Sequence, residues 1–278
     1  MNKVLIFGLS GQVGDALLPL LRDASFRVTS ISRQKKLNEQ NIVWQQADFL
    51  NFKSIETNYD AIISLGPLDA FANWLILSNI KTEKIIALSS TSIVTKKKSP
   101  DAIERELAQR LHKSEQILLQ YAKKTATKLI ILRPTLIYGV GRDQSLSRLL
   151  QMAKRYKFVL LPKNAAGLRQ PVHAADVADA VFKALELPGF DRLVLDLPGG
   201  ETLSFDQMLL RSLQRHSPRA TVLRIPDRLF ELGLRSAIFS GFGIGLGPGF
   251  FARLRQDWVF DAAPAHLALG YQPRPFSP

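Results

Sequence analysis

Residues 4–21 read VLIFGLSGQVGDALLPLL, and this stretch decides the fold. The apolar run Val4–Phe7 leads directly into Gly8, Gly11 and Gly14, and apolar residues then recur at helical spacing. Strand, tight turn and helix follow one another without a gap. Free backbone N–H groups and the positive end of a helix dipole would converge on such a turn, which is the requirement for holding a diphosphate. A side chain at the glycine positions would block the turn, the approach of the anion, or the helix–strand contact. Three glycines alone also cap ordinary strands, and it is the strand–turn–helix setting that raises dinucleotide binding to the expected reading. Ser10, Gln12 and Val13 lie between the glycines and belong to the same candidate cofactor loop.

Working outward, short apolar runs alternate with helical patterns. KVLIF, RVTSIS, IVWQQA, AIISL, KIIALSS and KLIILR read as buried strands, and helices are expected over 12–23, 69–79 and 101–124. The pattern predicts an α/β chain: a Rossmann-type, doubly wound parallel sheet followed by a smaller C-terminal α/β substrate domain. The expected division is 1–165 and 166–278. Ser99 as N-cap with Pro100 at the first helical position is the expected start of the long helix. Beyond residue 140, helices are expected from near Asp143, over 174–187 and over 204–216, with strands at LVLDL and TVLRI. Segment 239–251, FSGFGIGLGPGFF, is too short and too broken by Gly and Pro to span a bilayer; it reads as a flexible connector between two C-terminal helices, with a glycine-rich loop lining a pocket or touching a membrane surface as the alternative.

The end of the second strand selects the cofactor. An acid there binds the ribose 2′-hydroxyl of NAD, whereas a nearby Arg accepts the 2′-phosphate of NADP. The chain reads SISRQKK, with Ser32, Arg33, Lys35 and Lys36 and no acid before Glu39. NADP is the expected cofactor, with NAD as the alternative.

Composition narrows the remaining classes. At 278 residues, 46% hydrophobic and 22% charged, the chain can bury a substantial core and does not have the makeup of a disordered one. Cysteine is absent, and the four histidines (112, 173, 216 and 266) lack metal-ligand spacing, so no metal site is expected. The start, MNKVLIFG, lacks the succession of a secretory leader, and the chain reads as cytoplasmic without a transmembrane segment. A net charge of +13 calls for an anionic partner or a strongly solvated surface; nucleic acid, acidic lipid and phosphorylated small molecules all qualify. No recognised nucleic-acid motif accompanies the charge, so nucleic acid is not the expected partner.

In combination, G-x-x-G-x-x-G, QQADFLN, LSSTSIV, ILRPTLIYGVGR and RQPVHAADVADAV resemble the extended short-chain dehydrogenase/reductase superfamily, in its NAD-dependent epimerase/dehydratase branch. That resemblance spans nearly the whole chain. It implies a small-molecule substrate, with nucleotide sugars as the frequent class, and makes a homodimer an option by analogy alone. It implies that Gly8, Gly11 and Gly14 hold the diphosphate, Arg33 the adenosine end and Asp48 the adenine. Leu65 and Gly66 would lie beneath the cofactor, and Pro134 and Thr135 by the nicotinamide. Thr91 falls where the family polarises the substrate hydroxyl or carbonyl. Arg169 and His173 begin the substrate segment, where an Arg often meets phosphates; for His173 a core histidine is the stronger reading.

One feature of the family is missing. Its Tyr-x-x-x-Lys pair is usually followed four residues later by Glu, and Glu115 sets that register here, which puts Leu107 and Leu111 at the two positions. All three share a helical stripe. Lys113 is turned roughly 200° from Leu111 and His112 roughly 100°, so neither substitutes. None of the five tyrosines is followed by Lys at the fourth residue. Thr91, Ser92 and Tyr138 are the remaining catalytic candidates. Two readings follow: an enzyme of epimerase, dehydratase or reductase type with an atypical active site, or a non-catalytic NADP-binding sensor or scaffold.

Overall fold

The computed structural model describes residues 2–54, 56–139, 146–230, 232–233 and 248–278. Seven strands form one parallel sheet: β1 (Lys3–Phe7), β2 (Arg27–Ser32), β3 (Ile42–Gln46), β4 (Asn58–Ser64), β5 (Lys81–Leu88), β6 (Lys128–Pro134) and β11 (Arg192–Leu197). Their order across the sheet is β11-β6-β5-β4-β1-β2-β3, and every neighbouring pair is parallel. Successive side chains alternate between two apolar layers. Val4 and Ile6 pack toward helices α1 (Gln12–Arg22) and α6 (Ala174–Glu186). Leu5 and Phe7 pack toward α2 (Leu68–Leu77) and α4 (Ala102–Thr125). The strand order reverses between β1 and β4, and the crevice beyond the carboxyl ends of these strands is where an open α/β sheet holds its ligand.

The six expected strands are all present. The seventh, β11, contains LVLDL, which the sequence had placed in the second domain. Packing does not follow a cut at 165/166. Val172, Val177, Val181 and Leu195 belong to the sheet's own core, whereas Tyr138, Leu146, Leu149, Val159 and Leu161 join Phe205, Leu209, Leu213 and Phe276 in a separate core. That second core is built on α5 (Leu146–Tyr156), β8 (Phe158–Pro162), α7 (Phe205–His216) and β13 (Thr221–Ile225). The chain passes between the lobes through short strands, β7 (Ile137–Tyr138) paired with β10 (Val172–His173) and β9 (Leu168–Arg169) with β12 (Leu203–Ser204).

The long helix starts later than its sequence suggests. Asp101, not Ser99, is the N-cap, and its carboxylate accepts from the Ile103 N–H at 2.9 Å. Ser99 is drawn instead to Glu104, donating at 2.7 Å. The expected helix start near Asp143 lies outside the described residues, as does most of segment 239–251; the last four residues of that segment belong to the helix Pro248–Arg253. No helix among the described residues is long and apolar enough to cross a membrane. Nor is any group of three or more potential ligands placed to hold a metal ion among them.

Candidate cofactor and substrate site

The loop after β1 makes separate demands on its glycines. Gly8 has φ +85°, and a Cβ there would sit 3.0 Å from the Gly66 nitrogen. A Cβ on Gly14 would lie 2.2 Å from the Leu9 carbonyl oxygen, so helix α1 can cross the strand end only if this position is bare. Gly11 differs. Its backbone is extended (φ −94°), its N–H donates to the Gly8 carbonyl at 2.9 Å, and an added Cβ would meet only that oxygen, at 3.1 Å. As the N-cap of α1 it supplies no side-chain acceptor, so the helix's first N–H groups have no side-chain cap. Beside them the Gln12 amide nitrogen is buried without a hydrogen-bond partner among the described residues. An orphaned donor next to an uncapped helix start fits an anionic group of the size of a diphosphate. Val13 is buried, so its side chain serves the core and only its backbone can face a ligand. Ser10 is half-buried in the same turn.

At the end of β2, Ser32 is buried and its hydroxyl accepts from the Gln34 N–H at 3.2 Å. Arg33 is exposed and makes no ion pair among the described residues. The nearest downstream acid, Glu39, is engaged by Arg22 at 3.0 Å, and that hydrogen bond holds its carboxyl below the usual range. The Lys36 ammonium stands 5.7 Å from the centre of the Trp44 ring. Asp48 uses one carboxylate oxygen to accept from Leu50 and Asn51 N–H groups at 2.8 and 3.1 Å, which fixes the turn after β3. Leu65 donates its N–H to Phe7 at 2.8 Å, and Gly66 lies against the ring of Phe49, itself stacked on Phe7. The sequence reading missed Phe49, which forms an aromatic layer with Phe7, Phe71 and Trp74 under this end of the crevice.

Across the crevice, Thr91 is buried. Its N–H and its hydroxyl both donate to the Pro134 carbonyl at 3.2 Å. Ser92, half-buried, opens the short helix α3 (Ser92–Thr95). The Thr135 hydroxyl donates to the Gln170 carbonyl, tying β6 to the second lobe. Below them Glu115, 1% exposed, receives the Ser89 hydroxyl at 2.5 Å and is gripped by both arms of Arg133, one of them at 2.9 Å. This buried pair locks α4 to β5 and β6, and the hydrogen bonds that Arg133 donates to Glu115 raise the Arg133 pKa. Arg133 stood in the quoted ILRP run, yet nothing local in that run identified Glu115 as its partner. On the Glu115 stripe, Leu111 is half-buried against the α2 side of the core, and Leu107 is half-buried outside the main clusters. His112 and Lys113 are exposed.

Three candidates are committed elsewhere. Tyr138 is 3% exposed in the second core; its hydroxyl accepts from Ser277 N–H at 3.1 Å and donates to the Pro275 carbonyl at 3.4 Å, and burial pushes its pKa up. It therefore ties β7 to residues 275–277 through its hydroxyl. Arg169 donates to the carbonyls of Leu168, Gln256 and Arg253, the first two at 2.6 and 2.7 Å, and burial brings its pKa down to about 10. These contacts strap residues 253–256 onto β9 and leave Arg169 chiefly an organiser of the second lobe. His173 caps α6, its Nδ1 accepting from the Ala175 N–H at 3.1 Å, and its ring meets Tyr138 edge-on. Burial lowers its pKa, and its Nε2 lies against Gly139, where an added Cβ would come within 2.4 Å.

The same strap reaches α4. Glu104 binds Arg253 and accepts from Ser99, and Lys96 stands 3.5 Å away. Burial would raise the Glu104 pKa, but hydrogen bonds from Arg253 and Ser99 hold it below the usual range. Burial in turn pushes Lys96 down against the attraction of Glu104.

A glycine loop after the first strand of a seven-stranded parallel sheet, with a second lobe beyond the strand ends, makes this a Rossmann-type α/β fold. Residues 72–192 match the NAD dependent epimerase/dehydratase family. No curated protein matches the chain by sequence. Among solved structures, UDP-glucuronic acid 4-epimerase from Bacillus cereus, in complex with NAD, is similar at 17% identity and a TM-score of 0.72, covering 99% of this chain and 92% of its own. The epimerase Mth375 of Methanothermobacter thermautotrophicus is similar at 14% identity and 0.71, covering 98% and 88%. UDP-N-acetylglucosamine 4-epimerase from Methanobrevibacter ruminantium M1, in complex with UDP-N-acetylmuramic acid, aligns at 14% and 0.62 over 92% and 96%. At such identities the likeness is one of fold.

Proposed function

We propose that the chain binds NADP in the loop after β1 and acts as an epimerase/dehydratase- or reductase-type enzyme on a nucleotide sugar or a related small molecule. The observation that carries this reading is Gly11. Internal packing accounts for Gly8 and Gly14, whereas a Cβ on Gly11 would meet only the Gly8 carbonyl oxygen, at 3.1 Å, and this reading takes its bareness as room for the diphosphate. The first N–H groups of α1 and the Gln12 amide would hold the diphosphate, and Arg33 the 2′-phosphate. The nicotinamide, when bound, supplies hydride acceptance and return. Thr91, with its proton committed to the Pro134 carbonyl, offers its hydroxyl lone pairs as an acceptor, and Ser92 adds a second hydroxyl at the same strand end. Leu107 and Leu111 supply no proton, so they can only exclude water. Positioned acid–base groups contribute about 10²- to 10⁴-fold in rate, and turnover is expected to be slow by that margin.

Titration with NADPH and NADH tests the cofactor. NADPH should bind more tightly, by about ten- to hundredfold, the worth of charge-assisted hydrogen bonds to one phosphate. Arg33→Asp should erase or reverse that preference. Equal affinities for both cofactors, unmoved by the substitution, would refute it. Turnover of a panel of nucleotide sugars tests the substrate class, and bound cofactor with no turnover on any of them would favour a sensor.

A further inference from the structure

We propose a second binding surface, unrelated to the crevice: the outer face of the β8–β13 sheet docks the protein on an anionic lipid surface. The two strands pair in parallel, with Phe158 opposite Thr221 and Leu160 opposite Leu223. Alternation sends Val159, Leu161 and Val222 into the second core. Phe158, Leu160 and Leu223 therefore share the opposite face, and they are 41%, 41% and 44% exposed. Tyr156, at the end of α5 one residue before Lys157 and β8, is exposed as well. A strand pair with one face in water normally alternates apolar with polar residues. This one is apolar on both faces, so its outer side has the makeup of a contact surface.

Charge identifies the occupant. The segments flanking the two strands carry Lys154, Arg155, Lys157, Lys163, Arg219 and Arg228, all exposed and none in an ion pair with an acid among the described residues. The neighbouring acids are already neutralised: Asp206 by Arg224 at 2.8 Å, and Asp227 by Arg255 at 3.1 Å. Arg155 stands over the Tyr156 ring at 5.4 Å. Apolar side chains with an aromatic residue, edged by cations of one sign, match the boundary between anionic headgroups and acyl chains. A second copy of the chain fits poorly, because face-to-face pairing would oppose two sets of unpaired cations. Nucleic acid would use the cations but gain no stacking from Leu160 or Leu223.

The test is co-sedimentation of the full chain with phosphatidylcholine vesicles, with and without phosphatidylglycerol. Binding is expected only with the anionic lipid, and it should weaken as salt rises. Phe158→Thr with Leu160→Thr and Leu223→Thr should reduce it by about tenfold while thermal unfolding and NADPH titration stay unchanged, since Thr suits a strand and these side chains face outward. If that triple variant does not fold, Lys163→Glu with Arg219→Glu gives the same reading through charge, with a loss of at least about tenfold. Equal binding to neutral vesicles, or no vesicle binding at all, would overturn the proposal. So would undiminished binding by a folded variant, or a dimer in light scattering that the Thr variant dissociates. Retention of an RNA oligonucleotide by the Thr variant, with vesicle binding displaced by that oligonucleotide, would assign the surface to nucleic acid instead.

Discussion

The glycine loop after β1 and helix α4 are built onto the same sheet, and the two are specified in different ways. In the loop, backbone geometry sets each glycine: Gly8 and Gly14 are required by several neighbouring atoms, and Gly11 meets only the Gly8 carbonyl oxygen. In α4, anchoring and chemistry fall on different residues of one stripe. Glu115 fixes the helix through Arg133 and Ser89, whereas Leu107 and Leu111, two turns and one turn nearer the N-terminus, carry nothing that can move a proton. A helix keeps its register because of its buried anchor, whatever its reacting positions hold. The architecture of an active site can therefore stand complete around positions that lack the reacting groups.

The largest effect should come from setting two glycines against each other. Gly14→Val would drive a side chain into the Leu9 backbone, and it should cost about 3 kcal/mol or more and unfold much of the chain. Gly11→Val, at ordinary φ, asks only a small shift of the Gly8 carbonyl. Its melting temperature should stay near that of the parent while dinucleotide titration shows no binding. Equal loss of stability in both variants would mean that Gly11 is also a packing glycine, and the contrast on which the cofactor reading rests would be gone.

Breaking the anchor comes next. Glu115→Ala leaves the Arg133 guanidinium without its carboxylate in a largely buried setting, and about 3 kcal/mol should be lost in denaturant unfolding. Replacing both partners, Glu115→Leu with Arg133→Leu, should recover most of that loss, because no orphaned charge remains. A double variant no more stable than the single one would show that the pair contributes more than mutual neutralisation.

The sheet was legible because its strands are buried on both faces and read as continuous apolar runs, and because the glycine loop marks the first crossover. What the sequence could not convey was partnership at long range. LVLDL looks like any other strand, and only the packing of α6 on α1 carries it back to the edge of the main sheet as β11. Arg169 and Tyr138 have the right residue types for a site, but their partners lie 84 and 139 residues away, at Arg253 and Ser277, and those partners claim their polar groups. Ser99 was read as a cap from its neighbours alone, while Glu104 and Arg253 drew it into the strap. Local pattern recovers elements; which polar group is spent on structure depends on distant chain.

The smallest change, and the one that bears most directly on the comparison, is to supply α4 with the missing groups. Leu107→Tyr should be nearly neutral for stability, because Leu107 is half-buried and lies outside the main clusters. Leu111→Lys should cost more, on the order of 1–2 kcal/mol, since Leu111 packs against the α2 side of the core, although a long Lys stem can keep its apolar part there and carry its ammonium outward. The double variant should remain folded and bind NADPH at least as tightly as the parent, because the ammonium would stand one turn from the phenol with ribose hydroxyls in reach. Thermal unfolding and NADPH titration on the two single variants and the double one separate the outcomes. Collapse of the fold on Leu111→Lys alone would make that leucine a core residue intolerant of charge. A folded double variant with weakened NADPH binding would mean that Glu115 anchors α4 in a register different from the one that faces the nicotinamide. Tighter binding together with new or faster turnover on a nucleotide sugar would show that the parent crevice lacks only these two groups, and that its anchors already hold α4 where catalysis needs it.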